Sequence, residues 1–397
     1  MGDRADKGIR ALKVAITGAT GVIGTAAVRA LLAAGHQVVG LARTSTKAAE
    51  LERLGAAAVV AGLFDRDRLV AMFEGCDAVC NFATQVPIGL AGIRPRNWQK
   101  NDRLRTDGVA TVVGAARAAG VRRLVQESVS LLYADQGDAV ITESSPLAIT
   151  RATEPAAVGE SHVQAYQSGP RTGVVLRFGM IIGDDPLTRW RLQAARNGRP
   201  VAIGSPWSWT HPVHTDDLGP AVLAALSAPS GVYNVGAAPV RRADLVHGFQ
   251  IAAGHPAHRM GRRGTGFAGP VARRLVGVRL EPLARSLRVS SEHFTCQTGW
   301  TPRRAGFDAS WFDAVRPERS VTDPETHPET DPDRQPAPAP AHRAARQEAA
   351  RRRRLAEVFG EVLPSTTGDE RDQGGGEGAG RDAWLRSQVP PHHGPSR

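Results

Sequence analysis

Three features of the sequence predict an α/β fold built on a doubly wound parallel sheet. From Leu12 to about Phe178, short β-branched runs alternate with longer Ala-, Leu- and Arg-rich segments of helical period. Such alternation places helices on both faces of a parallel sheet. Several strands follow a glycine able to close the preceding helix in the left-handed conformation, namely Gly35, Gly75 and Gly120. The third feature is the turn Thr17-Gly18-Ala19-Thr20-Gly21-Val22-Ile23-Gly24, directly after the first expected strand and before the first expected helix.

The expected strands, in order, are Val14 to Thr17, Val38 to Leu41, Ala57 to Val60, Ala78 to Phe82, Leu124 to Glu127 and Val174 to Phe178. The first helix is expected over Ile23 to Ala34, and a long one over Asn97 to Ala119. After Phe178 the pattern loosens into helices near Leu187 to Asn197, Asp216 to Leu226 and Arg242 to Ala252. Gly-, Pro- and Trp-containing loops separate them, so residues 181–318 form a small substrate-side lobe with late sheet contributions, after a sheet domain over 12–180. Beyond Pro317 proline, threonine and acids replace apolar residues, which predicts a disordered linker over 319–340. An amphipathic basic helix is expected over 341–363, with RRRR at 351–354 and Leu355, Val358, Phe359, Val362 and Leu363 at helical spacing. Residues 1–11 and 364–397 read as flexible.

The 397 residues carry 50 Lys and Arg against 39 Asp and Glu, a formal charge of +11. From Arg319 onward there are 12 basic and 13 acidic residues, so the excess belongs to the folded part. That distribution disfavours nucleic acid as the partner, although an Arg-rich tail keeps it as a weaker alternative. Three cysteines, Cys76, Cys80 and Cys296, make neither an even disulfide set nor a zinc spacing, and no metal is expected. No stretch reaches the roughly 18 apolar residues of a membrane span, and the N-terminus lacks a signal-like apolar core. A cytoplasmic location without membrane contact is the resulting expectation.

A strand, a tight glycine turn and a helix N-terminus together favour a dinucleotide pyrophosphate. Gly18 permits the turn, Gly21 admits the phosphate to the backbone and Gly24 allows close helix packing. Thr20, Val22 and Ile23 complete this set. The second strand ends Leu41-Ala42-Arg43-Thr44-Ser45, without the acid that NAD sites commonly place there. Arg43 is therefore expected to clamp a 2′-phosphate, with Thr44 or Ser45 as auxiliary donors, giving NADP preference over NAD. A merely solvated Arg43 is the alternative.

The TGxxGxxG spacing resembles the extended short-chain dehydrogenase/reductase group, specifically the NAD-dependent epimerase/dehydratase family. Further matching segments are NFAT at 81–84, RRLVQESVSLLY at 122–133, VVLRFGMIIG at 174–183, HPVHTDDLGPAVLAAL at 211–226 and GVYNVG at 231–236. The resemblance covers about residues 12–315 and implies a Rossmann-like NAD(P) domain with a small C-terminal substrate domain. It also places Ala83 beside the cofactor, and Asp65 near the adenine, although an acid is common a few residues earlier, where this chain has Gly62.

The family resemblance further implies a Tyr-x-x-x-Lys pair with an upstream serine, because a phenol must exchange a proton with a substrate oxygen near neutral pH. The three tyrosines, Tyr133, Tyr166 and Tyr233, are followed four positions on by Gly137, Pro170 and Ala237. Alignment of Glu160 and Tyr166 places Ala152 and Ala156 where the pair would stand, and the serine position falls on Val129. The chain is thus an atypical member. Substitute catalytic candidates are Ser128 and Glu127, at the strand end facing the expected nicotinamide, with Glu127 as carboxylate base, and Tyr133 as hydroxyl donor; a structural Tyr133 is the alternative.

His211 and His214 precede the helix from Asp216, where Thr215 or Asp216 is the expected cap and substrate contact the alternative. Trp207 and Trp209 are available as apolar cleft walls or as packing, and Cys76 and Cys80 as small core residues. These features predict an oxidoreductase or isomerase acting on a small hydroxyl or carbonyl compound, with sugar derivatives among the candidates. The competing expectation is a catalytically silent NADP(H) sensor acting through a partner of the 341–363 helix. A homodimer through the helices near 97–119 is also admitted.

Overall fold

The computed structural model describes residues 10–254, 267–268 and 278–315. The linker 319–340, the basic helix 341–363 and the tail 364–397 lie outside the described residues, as does most of the N-terminal segment. The elements of the sheet domain are β1 (Lys13–Thr17), α1 (Val22–Ala33), β2 (Gln37–Ala42), α2 (Ser45–Arg53), β3 (Ala57–Val60), α3 (Arg66–Phe73) and β4 (Ala78–Asn81). They continue with α4 (Gln99–Arg103), α5 (Val109–Ala118), β5 (Arg123–Val129), α6 (Glu154–Tyr166) and β6 (Thr172–Phe178). The lobe adds β7 (Met180–Ile182), α7 (Pro186–Arg196), β8 (Ala202–Ile203), β9 (Trp209–Thr210), β10 (Pro212–His214), α8 (Thr215–Ala225), β11 (Gly231–Val235), β12 (Val240–Arg241), α9 (Arg242–Ala252) and later α10 (Glu292–Thr298).

Seven strands form one sheet in the order β11-β6-β5-β4-β1-β2-β3, with every neighbouring pair parallel. The chain winds outward from β1 to β3, then crosses back to β4 and winds the other way. Strand order therefore reverses between β1 and β4, and a crevice opens at their carboxyl ends. Gly35, Gly75 and Gly120 hold φ of +80°, +68° and +71°, the left-handed closures that the sequence predicts. The long helix expected from Asn97 is interrupted: a π-helical turn, Leu104–Gly108, separates α4 from α5. Such turns shift the side chains that follow them.

Both faces of the sheet are covered. Val14, Ile16, Cys80, Val125 and Leu176 pack against α1 and α8 through Ile23, Ala27, Leu31, Leu218 and Val222. On the other face Ala15, Val79, Leu124 and Val175 pack against α3, α5 and α6 through Leu69, Phe73, Val112 and Val163. Cys76 and Cys80 are buried in these cores, and burial pushes the Cys80 thiol up to about 12. The lobe has its own core of Ile182, Leu192, Phe249, Trp311 and Phe312.

One buried ion pair ties α6 to β6. Arg177 donates to both oxygens of Glu160, Nε to Oε1 at 2.8 Å and Nη2 to Oε2 at 2.6 Å, and Ser128 Oγ donates to Oε1 at 2.6 Å. Both charged side chains are 5% exposed. The Arg177 guanidinium also lies 4.9 Å over the Tyr133 ring. Removing one partner of such a pair strands the other charge in the interior. Arg177→Met should therefore lower unfolding free energy by about 3–5 kcal/mol in urea titrations. An unchanged midpoint would reject this pair as a structural tie.

Candidate functional site

The crevice between β1 and β4 is lined by backbone. Gly18 has φ +69°, and a Cβ there would lie 2.4 Å from the Phe82 carbonyl carbon and 2.6 Å from the Ala83 nitrogen. At Gly24 a Cβ would lie 2.1 Å from the Gly18 oxygen, so this glycine closes the turn on itself as well as admitting the helix. Gly21 donates its N–H to the Gly18 oxygen at 3.0 Å and accepts from Thr25 N at 2.8 Å. It is the N-cap of α1, in extended conformation, with no side-chain cap and no acid in the first turn. The N–H groups opening α1, those of Val22 and Ile23, have no acceptor within the helix. Uncapped donors and the positive end of the helix dipole suit an anion, so the residues present fit a pyrophosphate.

A polar ladder braces the same edge. The Thr17 hydroxyl donates to Asn81 Oδ1, Asn81 Nδ2 donates to Gln126 Oε1 at 2.8 Å, and Gln126 Nε2 donates to the Glu127 carbonyl at 2.7 Å. Ala83 N reaches Asn81 Oδ1 at 3.3 Å, holding the chain after β4 against the turn. At the end of β2, Arg43 is exposed and has no partner among the described residues. Thr44 caps α2, its hydroxyl oxygen accepting from Lys47 N at 3.3 Å, while Lys47 is paired with Glu50. Asp65 caps α3 by accepting from Arg68 N at 3.2 Å, a local role that the sequence reading did not assign to it.

The three residues expected to move protons are all engaged in the fold. The Ser128 hydroxyl is committed to Glu160. Tyr133 is fully buried and donates its hydroxyl to Asn234 Oδ1 at 2.8 Å. Tyr166 and Tyr233 donate theirs to the carbonyls of Val121 and Pro229, so every tyrosine hydroxyl is given to a protein acceptor. Glu127 differs. Its Oε1 accepts from Arg105 Nη2 at 2.6 Å, but its buried Oε2 has no partner. Burial pushes this carboxyl above the usual carboxylate range, and Arg105 offsets part of that rise. Arg105 sits in the π-helical turn and was missed from sequence, because the one extra residue of a π-helical turn leaves no compositional mark. Ala152 lies just before α6 and Ala156 in its first turn, where Ala156 is buried.

The substrate-side residues also have defined places. Trp209 donates its Nε1 to Asp138 at 2.8 Å, and two guanidiniums lie over its ring, Arg241 at 3.9 Å and Arg288 at 5.0 Å from the centroid. Packing therefore describes Trp209, whereas Trp207 is 75% exposed. The cap of α8 is His214, whose Nδ1 accepts from Asp216 N at 3.2 Å, and neither Thr215 nor Asp216 takes that role. His211 is buried beside Gly236, with Nδ1 unpartnered and Nε2 3.4 Å from the Ser291 hydroxyl. Among the described residues no group of three or more His, Cys, Asp or Glu could hold a metal, and no helix is long and apolar enough to cross a membrane.

The family model described as NAD dependent epimerase/dehydratase family matches residues 14–236. A 3-diazoavenalumate denitrifying reductase from a Streptomyces species is 34% identical over 239 residues, covering 56% of this chain and 75% of that protein. A UDP-glucose 4-epimerase from Streptomyces lividans is 32% identical over 146 residues, covering 36% of this chain and 43% of the epimerase. Among solved structures, the Thermus thermophilus UDP-glucose 4-epimerase complex with NAD superposes with a TM-score of 0.61 at 22% identity, covering 77% of this chain and 97% of that one. That likeness bears on the fold alone.

Two substitutions test this geometry. Burial lowers the His211 pKa from 6.5 to about 3. Between those values the unfolded chain binds a proton that the folded chain refuses, so this contribution to stability is complete above pH 6.5 and shrinks as pH falls. His211→Gln should remove an acid-side slope of about 1.4 kcal/mol per pH unit below that point. Equal slopes for both proteins in urea titrations at pH 7 and pH 5 would contradict a buried neutral histidine. Gly24→Ala should abolish NADPH binding by calorimetry, since its Cβ cannot clear the Gly18 oxygen; retained affinity would move the pyrophosphate away from this turn.

Proposed function

The chain belongs to the NAD-dependent epimerase/dehydratase family, and from that premise we propose that it is a nicotinamide-dependent reductase preferring NADP. The turn Gly18, Thr20, Gly21, Val22, Ile23 and Gly24 would hold the pyrophosphate, with Ala83 closing the crevice. Arg43 would take the 2′-phosphate, because Lys47 is already neutralised by Glu50. Thr44 keeps its hydroxyl proton free to join it. Asp65, engaged in capping, would contribute at most a contact near the adenine.

The observation that carries this reading is the loss of the proton relay. Alanines stand at 152 and 156, and all three tyrosine hydroxyls are held by protein acceptors. When bound, the dinucleotide supplies hydride at its nicotinamide carbon. The chain's part is then to orient the acceptor and exclude water. A substrate that accepts hydride at carbon while dinitrogen leaves breaks a C–N bond, forms a C–H bond and consumes no proton. Alanine at the relay positions costs such a reaction nothing, and the denitrifying reductase to which this chain is similar is named for that kind of change.

A second reading is favoured by Glu127. Reduction of a carbonyl requires a proton on oxygen, and a buried carboxyl with a raised pKa and a free Oε2 can supply one. Ser128 and Tyr133 would then act indirectly, keeping Glu160, Arg177 and Asn234 in place around the strand end. In that case activity falls as pH rises through the raised Glu127 pKa.

NADPH consumption over a panel of aryl diazonium salts and carbonyl compounds separates these readings, with Gly21→Asp as the cofactor-free control. Diazonium turnover that is lost in Gly21→Asp and retained in Glu127→Gln supports the first. Carbonyl turnover lost in Glu127→Gln supports the second. Tight NADPH binding without turnover of either class favours a silent binding protein. Arg43→Ala should weaken NADPH binding at least tenfold and NADH binding little; equal losses would reject Arg43 as the 2′-phosphate ligand.

A further inference from the structure

Helices α1 and α2 follow neighbouring strands and cover the same face of the sheet, where Ala27, Leu31, Ala48 and Leu51 share one core. Above that core the two helices do not close on each other, and a groove of about 350 Å³ runs between them. Leu51 and Leu54 form its apolar wall, while Thr20, Thr25, Arg29, Glu50 and Arg53 supply its polar lining. Thr25 and Arg29 stand one turn apart on α1, and Glu50 and Arg53 one turn apart on α2. Residues at that spacing share a helix face, so each helix presents a polar pair to the same groove.

The charges of this lining are not balanced. Glu50 is its one acid, and both carboxylate oxygens accept from Lys47 Nζ, at 2.9 and 2.7 Å. Arg29 and Arg53 are exposed, and neither has a partner among the described residues. The Thr25 hydroxyl donates weakly to the Ala19 carbonyl at 3.4 Å. That of Thr20 is given to no acceptor among the described residues. Two free guanidiniums and a free hydroxyl thus line one concave surface with an apolar back.

We infer that this groove is a second anion site, separate from the cofactor crevice, taking a small phosphate monoester with its phosphate on Arg29 and Arg53 and its apolar body against Leu51 and Leu54. A phosphate has acceptor oxygens enough for two guanidiniums and a hydroxyl at once, whereas a carboxylate is met by a single guanidinium fork. The volume lies at the low end of the roughly 300–1,000 Å³ of small-molecule sites, which suits a monoester rather than a dinucleotide. Thr20 belongs to the glycine turn as well, so the groove abuts the proposed pyrophosphate seat but does not use the N–H groups that open α1. Neither the reductase reading nor NADP binding is assumed.

The test is calorimetric titration of the full chain, free of cofactor, with phenyl phosphate and benzyl alcohol. Phenyl phosphate should bind and benzyl alcohol should not. Arg29→Gln and Arg53→Gln should each weaken phenyl phosphate about fivefold or more, and Arg29→Lys should recover part of the loss, because it keeps the charge and loses only the fork. Arg43→Ala, at the end of β2, should leave phenyl phosphate affinity unchanged, and so should saturating NADP. The urea midpoint of each variant is measured alongside as the check on folding. No binding of phenyl phosphate, or an affinity indifferent to both Arg29 and Arg53, would overturn the inference. Binding lost in Arg43→Ala or displaced by NADP would overturn it too, by assigning the anion to the cofactor crevice.

Discussion

The contact on which the rest of the structure depends is the meeting of Gly18 with the backbone of Phe82 and Ala83. Nothing larger than hydrogen fits there, since a Cβ would stand 2.4 Å from a carbonyl carbon. That approach brings the carboxyl ends of β1 and β4 together at the point where strand order reverses. It also fixes the direction in which α1 leaves the turn, and hence where its uncapped N–H groups point. The Thr17, Asn81 and Gln126 ladder extends the same constraint to β5, so the cofactor edge and the strand carrying Glu127 are braced as one unit.

Buried charge organises the other half of that edge. Arg177 and Glu160 join β6 to α6, and Arg105 and Glu127 join the π-helical turn to β5. Glu160 has both oxygens met, by Arg177 and Ser128. Glu127 alone retains an unpartnered oxygen. On the proposed reductase reading, that carboxyl is the one acid left beside the positions where alanine replaces the tyrosine and lysine.

Much of this was legible in the sequence, for reasons that differ by element. Strands and helices of the sheet were readable because their apolar periods and closing glycines are local signals; Gly35, Gly75 and Gly120 adopt the expected left-handed turns. The glycine turn was readable because its context, strand before and helix after, is contiguous. The π-helical turn was hidden, since one extra residue within a helical turn leaves no mark on composition or apolar period. The capping of α8 by His214 was misassigned to Thr215 or Asp216 because a histidine cap depends on ring orientation, which composition does not encode.

The central claim is that the β1–β4 crevice is the dinucleotide seat, and amide hydrogen exchange with and without saturating NADPH tests it most directly. Exchange should slow in residues 18–25 and 82–85 and stay unchanged in the amino-edge connections 34–36 and 119–122. Protection absent from the glycine turn, or concentrated at the amino edge, would contradict the account.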